Sequence, residues 1–153
     1  MLRISKLTDY GTLVLAQLPI NSDGLASAGQ VADATHLSQP TVRKLLKALV
    51  RAGLVVSERG SHGGYALARP DNEITAAQII DAIEGPVAIT ECSSAAGHCD
   101  LEPTCQVGSA WQGINLSIRR ALTQVSLADL QTPQIPIPSS SFQHDILGHV
   151  VVR

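Results

Sequence analysis

Residues 38–51, Ser-Gln-Pro-Thr-Val-Arg-Lys-Leu-Leu-Lys-Ala-Leu-Val-Arg, constrain this chain more than any other stretch. Val42, Leu45, Leu46 and Leu49 recur at i, i+3, i+4 and i+7. At about 100° per residue they and Val50 cover one side of a helix. Arg43, Lys44, Lys47 and Arg51 fall within about 100° of one another on the opposite side by the same periodicity. Ser38 suits an N-cap, Pro40 the first turn and Gly53 the position just past the C-terminus. Such a helix must bury one face against neighbouring elements and offer four cations on the other.

The flanking segments say what it packs against. Residues 7–18 predict a first helix, with Leu7, Tyr10, Val14, Leu15 and Leu18 at helical spacings and Pro19 with Asn21-Ser22-Asp23-Gly24 ending it. Residues 26–34 predict a second, short helix with Val31 facing inward. After the basic helix, the runs 54–56 and 65–67 flank a glycine-rich tip and read as a β-hairpin. Thr75 then caps a helix carrying Ile79, Ile80 and Ile83, which Gly85-Pro86 stops. The expected fold is mainly α with a small β-hairpin, a winged helix-turn-helix over residues 1–85. In that order of elements the basic helix is a recognition helix for a major groove and the hairpin a wing. The candidate DNA-binding residues are Ser38, Gln39, Thr41, Arg43, Lys44, Lys47 and Arg51 on the helix, with Arg59 and His62 at the wing tip. Gln39, Thr41, Arg43 and Lys44 lie early in the helix, where base edges are usually read, and arginine matches guanine and glutamine adenine.

Charge is distributed to match. Residues 1–69 hold eight Lys/Arg against four acids, whereas residues 70–153 hold three against nine. Only the front half is built to meet a polyanion. The chain has no phosphate-binding glycine loop, paired catalytic carboxylates or nucleophile–base constellation, so a non-enzyme is expected. No apolar run approaches the roughly 20 residues of a membrane span, and the first residues lack a signal-peptide core, so a cytoplasmic protein is expected.

The back half carries a different chemistry. All three cysteines lie in one aperiodic stretch, Cys92-x6-Cys99-x5-Cys105, within a loop expected over residues 86–104. Three thiolates on one loop can converge on a soft metal centre. The gaps are wider than the two to four residues usual within zinc pairs and suit an iron–sulfur cluster better, with zinc and redox-active thiols as alternatives. A dimerisation helix is expected over residues 105–130. Its stripe of Val107, Trp111, Ile114, Ile118, Leu122 and Val125 is spaced almost as a heptad and predicts a homodimer interface. Residues 131–153, rich in Pro and Ser, predict a disordered tail.

Taken together, Arg59-Gly60-x-x-Gly63-Gly64-Tyr65, the helix ending Ala82-Ile83-Glu84-Gly85-Pro86, the three cysteines and the long helix resemble the IscR/NsrR family of bacterial winged-helix regulators. The likeness runs over residues 1–130, and residues 1–10 look most like the branch controlling the SUF cluster-assembly operon. It implies a cytoplasmic homodimeric repressor or activator that binds a double-stranded DNA operator. An iron–sulfur cluster on Cys92, Cys99 and Cys105, [2Fe-2S] favoured over [4Fe-4S], would set operator affinity. IscR-type members have a histidine three residues after the last cysteine, where this chain has Gly108. The fourth ligand must then lie elsewhere. Asp9 is the first candidate, by likeness to the nitric-oxide-sensing branch, in which an N-terminal aspartate comes from the partner subunit; His98 is the second. A nitric-oxide or thiol-redox sensor of the same fold and a zinc-binding winged-helix protein remain the alternative readings.

Overall fold

The computed structural model describes residues 4–20, 24–90, 93, 105 and 107–132. Three helices come first: α1 (Lys6–Ala16), α2 (Ala28–Thr35) and α3 (Gln39–Arg51). The hairpin β1 (Val55–Glu58) and β2 (Gly64–Leu67) follows, then a 3-10 turn (Asp71–Glu73) and α4 (Ala76–Ile83). Helices α5 (Gly108–Thr123) and α6 (Leu127–Gln131) complete the described chain. The mainly helical winged-helix architecture expected from the sequence is the one observed.

Local chemistry sets the ends of these elements. Ser27 with Gln30 and Thr75 with Gln78 form reciprocal capping boxes that start α2 and α4. Helix α3 ends at Arg51, and the chain turns away at Gly53, whose φ of +71° disfavours any residue with a Cβ. There the Gly53 N–H donates to Val50 O at 3.0 Å and the Leu54 N–H to Leu49 O at 3.0 Å, so two terminal carbonyls are satisfied as the chain turns into β1. Ser38 stands at the N-cap of α3 but does not cap with its side chain. Its hydroxyl instead pairs with that of Thr41 at 2.7 Å.

The core forms where α1, α2, α3 and α4 meet. Val42, Leu45, Leu46 and Leu49 of α3 are buried against Val14 and Leu15 of α1, Val31 of α2 and Ile79 of α4. Each buried aliphatic side chain contributes roughly 1.5–3 kcal/mol of transfer free energy, which fixes the roll of α3 about its axis. The hairpin is antiparallel, pairing Val55 with Leu67 and Glu58 with Gly64. Its second strand has a further neighbour that the sequence did not announce. Ala26 and Tyr65 exchange backbone hydrogen bonds of 2.9 and 2.8 Å, and the Leu67 N–H donates to Pro19 O at 2.8 Å. Ala26 is therefore a bridge residue, and α2 starts at Ala28 rather than at residue 26. A Cβ at position 64 would come within 2.8 Å of the Ala26 carbonyl oxygen, so this close approach requires Gly64.

The C-terminal helix differs from expectation. Cys105 precedes α5 instead of opening it, and α5 stops at Thr123. Ser126 and Asp129 form another capping box, which starts the separate helix α6. The Leu127 N–H donates to Ile74 O at 2.7 Å and the Ala76 N–H to Val125 O at 2.8 Å, while the Leu127 side chain is fully buried in the common core. The end of the expected dimerisation segment thus folds back onto the winged-helix core. Arg119 of α5 holds Asp81 of α4 through two hydrogen bonds of 3.0 and 2.5 Å. Val107, Trp111, Ile114 and Leu116 are left exposed. No helix among the described residues is long and apolar enough to cross a membrane.

Candidate nucleic-acid interface

The amphipathic pattern of α3 turns its cationic side outward. Arg43, Lys44, Lys47 and Arg51 are all exposed, as are Ser38 and Gln39 at its start, while Thr41 is half-buried. Among the described residues none of these four cations forms an ion pair; the one salt bridge joins Arg119 to Asp81, elsewhere in the molecule. A cation without an internal partner leaves only water and counterions to be displaced by a phosphate.

The wing continues this face. Arg59, Ser61 and His62 are exposed at the hairpin tip, where the Ser61 Oγ lies 3.1 Å from His62 Nδ1. A Gly63 N–H to Gly60 O bond of 3.1 Å closes the tip, with Gly60 at a φ of +119°. Between helix and wing runs a groove lined by Arg43, Lys47 and Val50 of α3, Ala28 of α2, Ser57 of β1 and Tyr65 of β2. Ser57 and Tyr65 were absent from the sequence-based set. They face each other across the hairpin register, and only the pairing of Ser57 with Tyr65 reveals their shared side. His36, by contrast, is the left-handed C-cap of α2, with a φ of +55°.

The candidate metal ligands divide differently. Cys92, His98 and Cys99 lie outside the described residues. Cys105 is half-buried on the approach to α5, and a Cβ placed on Gly108 would lie 3.6 Å from its Sγ. The Cys105 thiol therefore sits against the first turn of a 16-residue helix. Asp9 is exposed on α1 and lines an apolar groove with Leu13, Ile80, Leu122 and Val125. Among the described residues no three His, Cys, Asp or Glu side chains converge.

One acid next to this groove was not singled out in the sequence. The Glu84 carboxylate, at the C-cap of α4, accepts the Ser5 N–H at 2.9 Å and the Thr8 hydroxyl, tying α4 to the N-terminus of α1. These donors, led by the Thr8 hydroxyl, hold its pKa below the ordinary value of 4.5. Its place at the end of a helix, facing the serine cap of another, is visible only in three dimensions.

Comparison with known proteins agrees with this geometry. Residues 4–133 match the Rrf2 family, described as an iron-dependent transcriptional regulator. The chain is 30% identical over 131 residues to the HTH-type transcriptional regulator NsrR of Oceanobacillus iheyensis, spanning 84% of this chain and 89% of that protein. Among solved structures it is similar to CymR (YrzC), the global cysteine regulator of B. subtilis, with a TM-score of 0.62 and 33% identity over 85% of this chain and 96% of that one. It is also similar to IscR of T. potens, with a TM-score of 0.58 and 28% identity over 88% and 94% of the two chains.

Proposed function

We propose, from the premise that this chain belongs to the Rrf2 family of transcriptional regulators, that it is a homodimer whose operator affinity is set by an iron–sulfur cluster on Cys92, Cys99 and Cys105. The observation that carries the DNA half of this reading is the cationic face of α3, free of ion pairs among the described residues and continuous through the Arg43–Lys47–Ser57 groove with the wing. Arg43, near the start of the helix, is the residue to read base edges, with Gln39 and Thr41 beside it. Lys44, Lys47, Arg51, Arg59 and His62 serve the phosphates.

The placement of Cys105 supports the cofactor, because this free cysteine stands with its Sγ beside the first turn of α5. A bound cluster supplies a thiolate-ligated iron centre whose gain or loss alters charge and constraint at the base of α5. The protein's part is to bring three thiols together there and to complete the site with an oxygen donor. Asp9 is that donor in this reading, and it comes from the partner subunit. Within one protomer Asp9 lines the groove that Leu122 and Val125 also line, at the other end of α5 from Cys105. Positions 108 and 122 are about 21 Å apart along a helix axis. The exposed Val107, Trp111, Ile114 and Leu116 favour a dimer that would bring a partner's α1 toward this end. The likeness of residues 1–10 to the SUF branch makes cluster-assembly genes the proposed target.

Likeness to a global cysteine regulator favours a second reading, in which the same cysteines answer to thiol chemistry. Anaerobic purification with iron, sulfide and visible-spectrum analysis, followed by DNA binding before and after chelation, separates the two. The cluster reading expects a coloured protein with iron and sulfide and a changed affinity after chelation. A colourless protein with stoichiometric zinc, or an affinity indifferent to iron, overturns it.

A further inference from the structure

Helix α5 is largely exposed, yet one of its side chains is buried, and that side chain is polar. Asn115 is 7% exposed, between the exposed Ile114 and Leu116. Its Nδ2 donates to the Ser93 carbonyl at 3.4 Å. Its Oδ1 is buried with no hydrogen-bond partner among the described residues. Ser93 is itself held in a tight turn, its N–H on Thr90 O at 2.9 Å and its hydroxyl 2.5 Å from that of Thr90. A half-satisfied buried amide is a poor way to stabilise a helix, since a leucine would remove the unmet acceptor. What the amide does achieve is to fasten the Thr90–Ser93 turn onto α5 at one point.

The position of that point matters chemically. Ser93 follows Cys92 directly in the chain, and Cys105 lies three residues before the start of α5. One rigid helix therefore fixes Cys105 through its own first turn and the neighbour of Cys92 through Asn115. Positions 108 and 115 are about 10 Å apart along the axis. We infer, on the cluster reading above, that Asn115 is a positioning residue: it holds Ser93, the neighbour of Cys92 in the chain, against the helix that follows Cys105, and so assists binding of the metal centre. Supporting partners of this kind change metal affinity without touching the metal.

The test uses the full chain with Asn115→Leu, which removes both polar groups, and Asn115→Asp, which keeps the shape and loses the donor. In the metal-free protein, amide hydrogen exchange at Ser93 rises about tenfold in both variants, while the melting temperature of Asn115→Leu holds or rises. In the anaerobically reconstituted protein, a chelator strips iron about tenfold faster from both, and the visible CD spectrum changes shape. A merely structural asparagine would instead lower the melting temperature and leave the spectrum alone. Variants that exchange and lose iron at wild-type rates overturn the positioning role by itself. A wild-type protein that takes up no iron or sulfide overturns the cluster reading and the positioning role together.

Discussion

Replacing Lys47 by alanine should weaken DNA binding in a way that salt reveals. Lys47 is exposed on α3, lines the groove toward the wing and has no ion-pair partner among the described residues. Its removal leaves the core side of α3 untouched, so stability should stay within about 0.5 kcal/mol. Each protomer offers five exposed cations on this surface, Arg43, Lys44, Lys47, Arg51 and Arg59. Ten in a dimer set a ceiling of about −9 on the slope of log affinity against log salt. Deleting Lys47 removes two of them, which should flatten the slope by about 1.8 and weaken binding about 30-fold at 0.15 M salt, or about 2 kcal/mol. Fluorescence anisotropy on operator and random duplexes over a range of salt measures both quantities, and the loss should be equal on the two DNAs. An unchanged slope with an unchanged affinity would refute the placement of this face on the phosphate backbone.

Three further outcomes follow from the packing and the electrostatics. Leu127→Ala, which opens a fully buried position in the shared core, should cost about 2–5 kcal/mol in chemical denaturation; a loss below about 0.5 kcal/mol would mean that α6 is not part of the folded unit. Glu84 titrates below its ordinary value because Thr8 and Ser5 donate to it, so its contribution is present above pH 4.5 and is lost as the pH falls through the lowered value. The melting temperature of Glu84→Gln should therefore fall less steeply than that of the wild type below about pH 5, and parallel curves would contradict the clamp. Gly64→Ala should destabilise the wing, because a Cβ there meets the Ala26 carbonyl, and circular dichroism melts should show it.

The strongest periodicities in the sequence led to the correct elements. In α3 the apolar and cationic positions separate cleanly, Gly53 marks the stop, and the wing follows within a few residues, so local chemistry and tertiary packing agree. Where they part, the sequence misleads. Residues 105–130 read as one helix, yet Ser126 and Asp129 start a new one because Leu127 finds its place in the core beside Ile74. The force of this cap depends on a partner surface that no periodicity encodes. The Ala26–Tyr65 bridge, the Glu84 clamp and the Asn115–Ser93 contact join positions 39, 76 to 79 and 22 residues apart and leave no mark on local patterns.

The central claim is that α3 reads DNA, and selection from a random duplex library tests it most directly. Two recognition helices related by dimer symmetry should enrich an inverted repeat with half-site centres about 10 base pairs, or a multiple of that, apart. Arg43→Ala should shift the preferred base at one position in each half-site while keeping the spacing. Enrichment of no motif, or of the same motif by the wild type and Arg43→Ala alike, would contradict the account.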